Sequence, residues 1–133
     1  MQGFHHVAVQ VRDLGAAEAF YTGVLGLAVT KRWPAGDGTE RSLWLDVGSG
    51  SFLALERADA NADPPSEQPF YDGHAGWHLV ALTIDVSARD EWERRLAAAG
   101  VTVVHRTDFT IYVRDPDGNR IGLSHYPHST RSA

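Results

Sequence analysis

Alternation of apolar and polar positions is the strongest signal along this chain. Phe4 to Val11 (FHHVAVQV) puts Val7, Val9 and Val11 on one side and His6, Ala8 and Gln10 on the other, the period of a half-buried strand. Asp13 is placed to cap a helix from about Gly15 to Leu25, in which Ala17, Phe20, Tyr21 and Val24 fall at helical spacing and Gly26 supplies the stop. Leu27 to Trp33 reads as a second strand, and Pro34 to Gly38 as a turn. Arg41–Val47 and Ser51–Arg57 then form a hairpin around Gly48-Ser49-Gly50. The order is β-α-β-β-β.

Residues 58–76 break the pattern. They are rich in Ala, Asp, Asn and Pro, carry no period, and read as a linker or lid loop. The first order then returns. Trp77 to Asp85 is a strand with Val80, Leu82 and Ile84 on one side. Ser87 can cap a helix to about Ala99 with Trp92, Leu96 and Ala99 on one stripe, and Val101 to Arg106 is a strand. The last two strands come from Thr110 to Tyr126, TIYVRDPDGNRIGLSHY, folded at Asp115-Pro116-Asp117-Gly118-Asn119. Pro116 presets φ there and Gly118 supplies a positive φ. In the final strand Ile121 and Leu123 share one face, and Gly122, Ser124 and Tyr126 the other. VAVQV from Val7 lies in register over VALTI from Val80, and LGL from Leu25 over AGV from Ala99. The predicted class is α+β: two βαβββ modules, about 4–57 and 77–127, in a single domain spanning 1–133. Each sheet buries one face under its helix, and the other faces are expected to curve into a cup that takes a ligand.

Composition narrows the function. At 133 residues the chain can bury a sizeable core without staples, and it has no cysteine, which excludes disulfides and thiolate metal sites. A formal net charge of −5 with no basic run argues against nucleic acid or an anionic membrane as partner. There is no long apolar stretch and no basic-then-apolar leader, so a soluble cytoplasmic protein is the expectation.

The chain resembles the vicinal oxygen chelate superfamily, which includes glyoxalase I, extradiol dioxygenases, fosfomycin-resistance transferases and bleomycin-resistance proteins. The residues that carry the resemblance are His6-Val7-Ala8-Val9 through Asp13-Leu14, Phe20-Tyr21 through Leu25-Gly26-Leu27, and Arg114-Asp115-Pro116-Asp117-Gly118-Asn119. The resemblance implies a divalent metal at the bottom of the cup, held by a His in the first strand and a Glu in the last strand of each half. His6 matches the first ligand. The other three positions fall on Ala54, Leu79 and Gly122. An alternative set, His6, Glu56 and His78, needs a bulge near Val80 to turn His78 inward.

The expectation is therefore a glyoxalase-like protein that binds a small organic molecule in an aromatic-lined cup. No metal or other cofactor is expected, and a divalent-metal lyase, transferase or dioxygenase is the alternative. The ligand-binding candidates are His6, Gln10, Trp44, Glu56, Thr83, Thr110, Tyr112, Ser124 and Tyr126. The aromatic ones are expected to stack on a planar ligand, and Glu56 to favour a cationic or hydrogen-bond-donating group. A third possibility is metal-free acid/base catalysis by His6 and Glu56, for which His6 needs an orienting partner that the sequence does not identify. A fourth is a cup filled by its own side chains. His5, His74 and His125 read as surface groups, Arg94 and Arg95 as a solvated helix face, and Asp115–Asn119 as a structural turn. From the resemblance, a homodimer is expected.

Overall fold

The computed structural model describes residues 1–63 and 75–130. The chain divides into two compact units, Met1–Pro64 and Pro65–Ala133. Each is a βαβββ module built on a four-stranded mixed sheet.

In the first unit β1 (His6–Val11) lies parallel to β4 (Ser51–Arg57). β4 pairs antiparallel with β3 (Glu40–Gly48), and β3 with β2 (Val29–Pro34), giving the order β1-β4-β3-β2. The helical segment begins with α1 (Leu14–Glu18), where the Asp13 carboxylate accepts from the Ala16 N–H at 3.0 Å, a side-chain cap as predicted. It then widens into a π-helical turn, Ala19–Val24, rather than running as one α-helix to Leu25. The Leu25 N–H donates to the Phe20 carbonyl five residues back, at 3.0 Å. This winding lets two consecutive aromatics face inward, Phe20 at 6 % exposure and Tyr21 at 0 %. They join Val11, Ala17, Leu43, Leu45, Leu53 and Leu55 in a core between helix and sheet. On the rim, Arg32 of β2 bridges Glu18 of α1 and Glu40 of β3. The hydrogen bonds it donates to these two carboxylates hold the guanidinium above its ordinary pKa.

In the second unit β5 (Val80–Thr83) lies parallel to β8 (Arg120–Ser124), followed by β7 (Thr110–Arg114) and β6 (His105–Arg106), all antiparallel beyond the first pair. Helix α2 (Arg89–Ala98) buries Leu96, and β7 and β8 bury Ile111, Val113, Ile121 and Leu123, which share one face of the sheet. Its N-terminal cap differs from expectation. Asp85, not Ser87, is the capping residue of the 3-10 turn Val86–Ala88, accepting from the Ser87 N–H at 2.8 Å and the Ser87 hydroxyl at 2.5 Å. These bonds hold the Asp85 carboxyl below its usual range. Two strands are shorter than the alternation predicted: the first begins at Val80 rather than Trp77, and β6 keeps only two residues of Val101–Arg106. β6 is an edge strand with one neighbour, and ahead of it only the Val104 N–H reaches that neighbour, at the Tyr112 carbonyl. His74 and most of the predicted 58–76 linker lie outside the described residues.

Candidate functional site

Strand register fixes which side chains share the helix-free face of the first sheet. His6 pairs with Phe52, Ala8 with Ala54 and Gln10 with Glu56; across the next ladder Phe52 pairs with Asp46, Ala54 with Trp44 and Glu56 with Ser42. β2 extends two of these rows, Trp44 to Lys31 and Ser42 to Trp33. The predicted residues His6, Gln10, Trp44 and Glu56 are thus brought to one surface.

Aromatic rings run across all four strands of this face. His6 stacks on Phe52 (centroids 4.7 Å, planes 3° apart), Phe52 on Trp44 (4.3 Å, 22°), and Trp33 meets Trp44 edgewise (5.2 Å, 60°). The Lys31 ammonium sits 3.8 Å over the Trp33 ring. Trp44 was expected to offer a ring face to a ligand. In the structure one of its faces takes Phe52 and Trp33 packs against it as well, so the array is stacked on itself. An incoming molecule meets ring edges, which carry the positive end of the aromatic quadrupole. Phe52, Trp33, Ser42 and Lys31 were not among the predicted residues. The parity of Phe52 with Ala54 and Glu56 was the signal that could have found the first.

Two polar atoms in this array have no partner. Ser42 is 1 % exposed, and its Oγ makes no hydrogen bond; the Trp33 Nε1, on the register partner of Ser42, is likewise buried and unpaired. Such groups each cost about 1–3 kcal/mol when left unmatched. His6 has a partner that the sequence did not reveal: its Nδ1 lies 2.8 Å from the Nδ1 of His5, so one of the two rings donates to the other.

The second unit gathers another set. Thr83, Ser124 and Thr110 form one row, and Ala81, Gly122, Tyr112 and His105 the next. The Thr110 hydroxyl donates to the Ser124 Oγ at 2.9 Å, and the His105 and Tyr112 rings are 5.6 Å apart. A Cβ at Gly122 would lie 3.2 Å from the Thr110 methyl and 3.4 Å from Tyr112 Cε1. Tyr126 does not continue this row. It lies beyond the end of β8, exposed, with its ring edgewise to Phe109. Trp77, ahead of β5, is 99 % exposed.

His125 is a correction. Expected at the surface, it is 1 % exposed. Its Nε2 faces Arg89 Nη1 at 2.9 Å and its Nδ1 the His128 carbonyl at 2.5 Å. Since a guanidinium only donates, Nε2 accepts and Nδ1 carries the proton. Arg89 also donates to the Thr107 carbonyl at 3.0 Å, so helix, turn and C-terminal segment meet at one buried imidazole. Its shared parity with Leu123 was the available clue.

The metal that the resemblance implies can be tested against these residues. Of the four positions, His6 offers a nitrogen, while Ala54, Leu79 and Gly122 have no ligating side-chain atom, and a Cβ at Gly122 would crowd the Thr110 methyl. The alternative set fares no better. Glu56 lies four residues along β4 from the partner of His6, about 13 Å of strand, too far for both to close on one ion at about 2.1 Å. The bulge needed to turn His78 inward is absent, because the β5–β8 register is regular from Val80 to Thr83 and His78 precedes the strand. Among the described residues, no three His, Asp or Glu side chains group to hold an ion. The donor set does not fit the family's metal.

Paired βαβββ modules, each a mixed sheet of order 1-4-3-2 with its helix on one face, define a glyoxalase-type fold. The family model of the Glyoxalase/Bleomycin resistance protein/Dioxygenase superfamily matches residues 3–123, and the chain belongs to that superfamily. Among solved structures it is similar to a glyoxalase/dioxygenase from Nostoc punctiforme (23 % identity, TM-score 0.76, covering 96 % of this chain and 92 % of that one). It is also similar to a lactoylglutathione lyase from Agrobacterium tumefaciens (25 % identity, TM-score 0.66, covering 95 % of each). A third is the fosfomycin resistance protein FosX from Listeria monocytogenes, solved with Mn(II) and sulfate (17 % identity, TM-score 0.70, covering 94 % and 93 %).

Proposed function

We propose that this protein binds a small organic molecule on the aromatic face of its first sheet, without a divalent metal. The observation that carries the reading is the ring array of His6, Phe52, Trp44 and Trp33, which spans four strands beside a buried, unpartnered Ser42 hydroxyl. A face built only for solvent would hold neither feature, because exposed aromatics and desolvated hydroxyls both cost free energy. Metal independence is supported by the three family ligand positions that lack a ligating atom. The homodimer and cytoplasmic location inferred from the sequence belong to the same reading.

The test combines two measurements. Titration of untagged protein with Mn(II), Ni(II) and Zn(II) should give no stoichiometric site tighter than micromolar, and His6→Ala should not change that result. An aromatic fragment screen followed by amide and indole NMR should perturb Trp33, Trp44 and Phe52. A tight equimolar metal site abolished by His6→Ala would overturn the reading in favour of a metalloenzyme.

A second reading is metal-free proton transfer by His6. It is favoured by the 2.8 Å contact between the two Nδ1 atoms, which supplies the orienting partner that a general base requires. Solvent exchange of an acidic C–H in a bound fragment, lost in both His5→Phe and His6→Phe, would support it. Exchange unchanged in both variants would remove it.

A further inference from the structure

We infer that the molecule taken up by the first sheet presents a hydrogen-bond donor beside an acceptor on one edge, as a primary carboxamide or a lactam does. This rests on the binding reading above and narrows it to a ligand class. Three side chains stand in one row on adjacent strands: Glu56 opposite Ser42, and Ser42 opposite Trp33. Neighbouring strands are about 4.8 Å apart, so the row spans about 10 Å. Its chemistry is ordered. An ionised Glu56 only accepts, the Ser42 hydroxyl does either, and the Trp33 indole only donates. Ser42 Oγ and Trp33 Nε1 have no partner in the structure.

A ligand must satisfy this row as a whole. A carboxylate would meet Trp33 Nε1 and Ser42 well but would be set against the like charge of Glu56. An ammonium would pair with Glu56 and leave the indole N–H unmatched. A hydrocarbon would leave all three unmatched. A carboxamide edge gives its N–H to Glu56 and its C=O to Ser42 and Trp33, and its neutral ring lies along the ring edges of Trp44 and Phe52. A site built around buried donors and acceptors discriminates strongly against ligands that leave them unpaired.

Ser42 Oγ and Trp33 Nε1 are closed off from solvent, while Glu56 is partly exposed, and the sheet is irregular next to Trp33. Trp33 is carried by the edge strand β2, whose register shifts between Val29 and Lys31 and again between Trp33 and Pro34. Trp33 thus ends a run of three regular pairs on an edge strand, with an irregularity directly after it, where a side chain can turn aside at small cost to the ladder.

Isosteric probes test the inference on the full chain. Benzamide, benzoate, benzylamine and toluene would be titrated against 15N-labelled protein, with the Trp33 indole signal assigned from Trp33→Phe. Benzamide should shift the Trp33 and Ser42 signals and bind at least tenfold more tightly than the other three. Ser42→Ala and Glu56→Gln should each erase most of that preference while leaving the spectrum of the second unit unchanged. Equal binding of all four probes at Trp44 and Phe52 would overturn the carboxamide assignment, with a bridging water then satisfying Ser42 and Trp33, and leave the binding reading standing. No perturbation of the first sheet by any probe would overturn both.

Discussion

Tyr112 and Gly122 face each other across β7 and β8, with the edge of the phenol ring in van der Waals contact with the point where a side chain on residue 122 would begin. A Cβ placed there is 3.2 Å from the Thr110 methyl, tighter than most packed contacts, and 3.4 Å from Tyr112 Cε1, an ordinary van der Waals distance. A side chain there needs the Thr110 methyl to give by a few tenths of an ångström. Gly122→Ala should destabilise the protein by about 1 kcal/mol through overpacking, read as a lower urea midpoint. Thr110→Ser in the same background, which removes the crowding methyl and keeps the hydroxyl on Ser124, should recover part of that loss. Gly122→Glu, which restores the family's carboxylate, should lower stability further and confer no equimolar Mn(II) binding by calorimetry.

The buried imidazole of His125 makes Arg89 a structural residue. Arg89→Met keeps much of the side-chain volume but removes the donors to His125 Nε2 and the Thr107 carbonyl. Leaving such acceptors unmatched should cost about 2 kcal/mol. Urea unfolding at neutral pH measures it, and fragment binding at the first sheet should be unaffected.

Acid should weaken the second unit through two carboxylates. The Arg106 guanidinium, 2.8 Å from Glu93, holds Glu93 below its ordinary value of 4.5, and Ser87 holds Asp85 below its ordinary 3.8. A depressed folded-state pKa contributes stability above the unfolded value, and that contribution is lost as pH falls through the folded one. The melting temperature should therefore fall as pH drops below about 4. Glu93→Gln and Asp85→Asn should each flatten that fall, and neither should change the slope between pH 6 and 8. Thermal melts followed by circular dichroism decide it.

Phe52 links the two ends of the aromatic array, stacking on His6 on one side and Trp44 on the other. Phe52→Leu keeps an apolar side chain but removes both stacks, which should cost about 1 kcal/mol of stability. The larger effect is expected on fragment affinity, because Trp44 loses the neighbour that fixes its orientation. A binding loss no greater than that of a distant control such as Trp92→Leu would disprove the role given to the array.

Much of this molecule was legible in the order of its residues. The alternation in FHHVAVQV placed His6 and Gln10 away from the core, and the turn Asp115–Asn119 formed as its composition required, with Asp115 Oδ1 accepting from the N–H groups of Asp117 and Asn119. What escaped was set by partners distant in the chain. Phe52 and Ser42 lie in strands whose face was readable, but their role comes from Trp44 and Trp33 across the sheet. His125 looked like a strand-end group because Arg89, thirty-six residues away, is what makes its burial tolerable. The lengths of β5 and β6 depend on how many neighbours a strand has, and periodicity does not encode that.

The wide turn at Ala19–Val24 has an implication for lineage. A helix that closes onto the carbonyl five residues back contains, in effect, one residue more than the ordinary winding. Excision of a single codon within it would restore normal pitch and rotate either Phe20 or Tyr21 out into water. Relatives that lack the extra residue should therefore carry a polar side chain at one of those two places, so the indel and the loss of an aromatic would travel together.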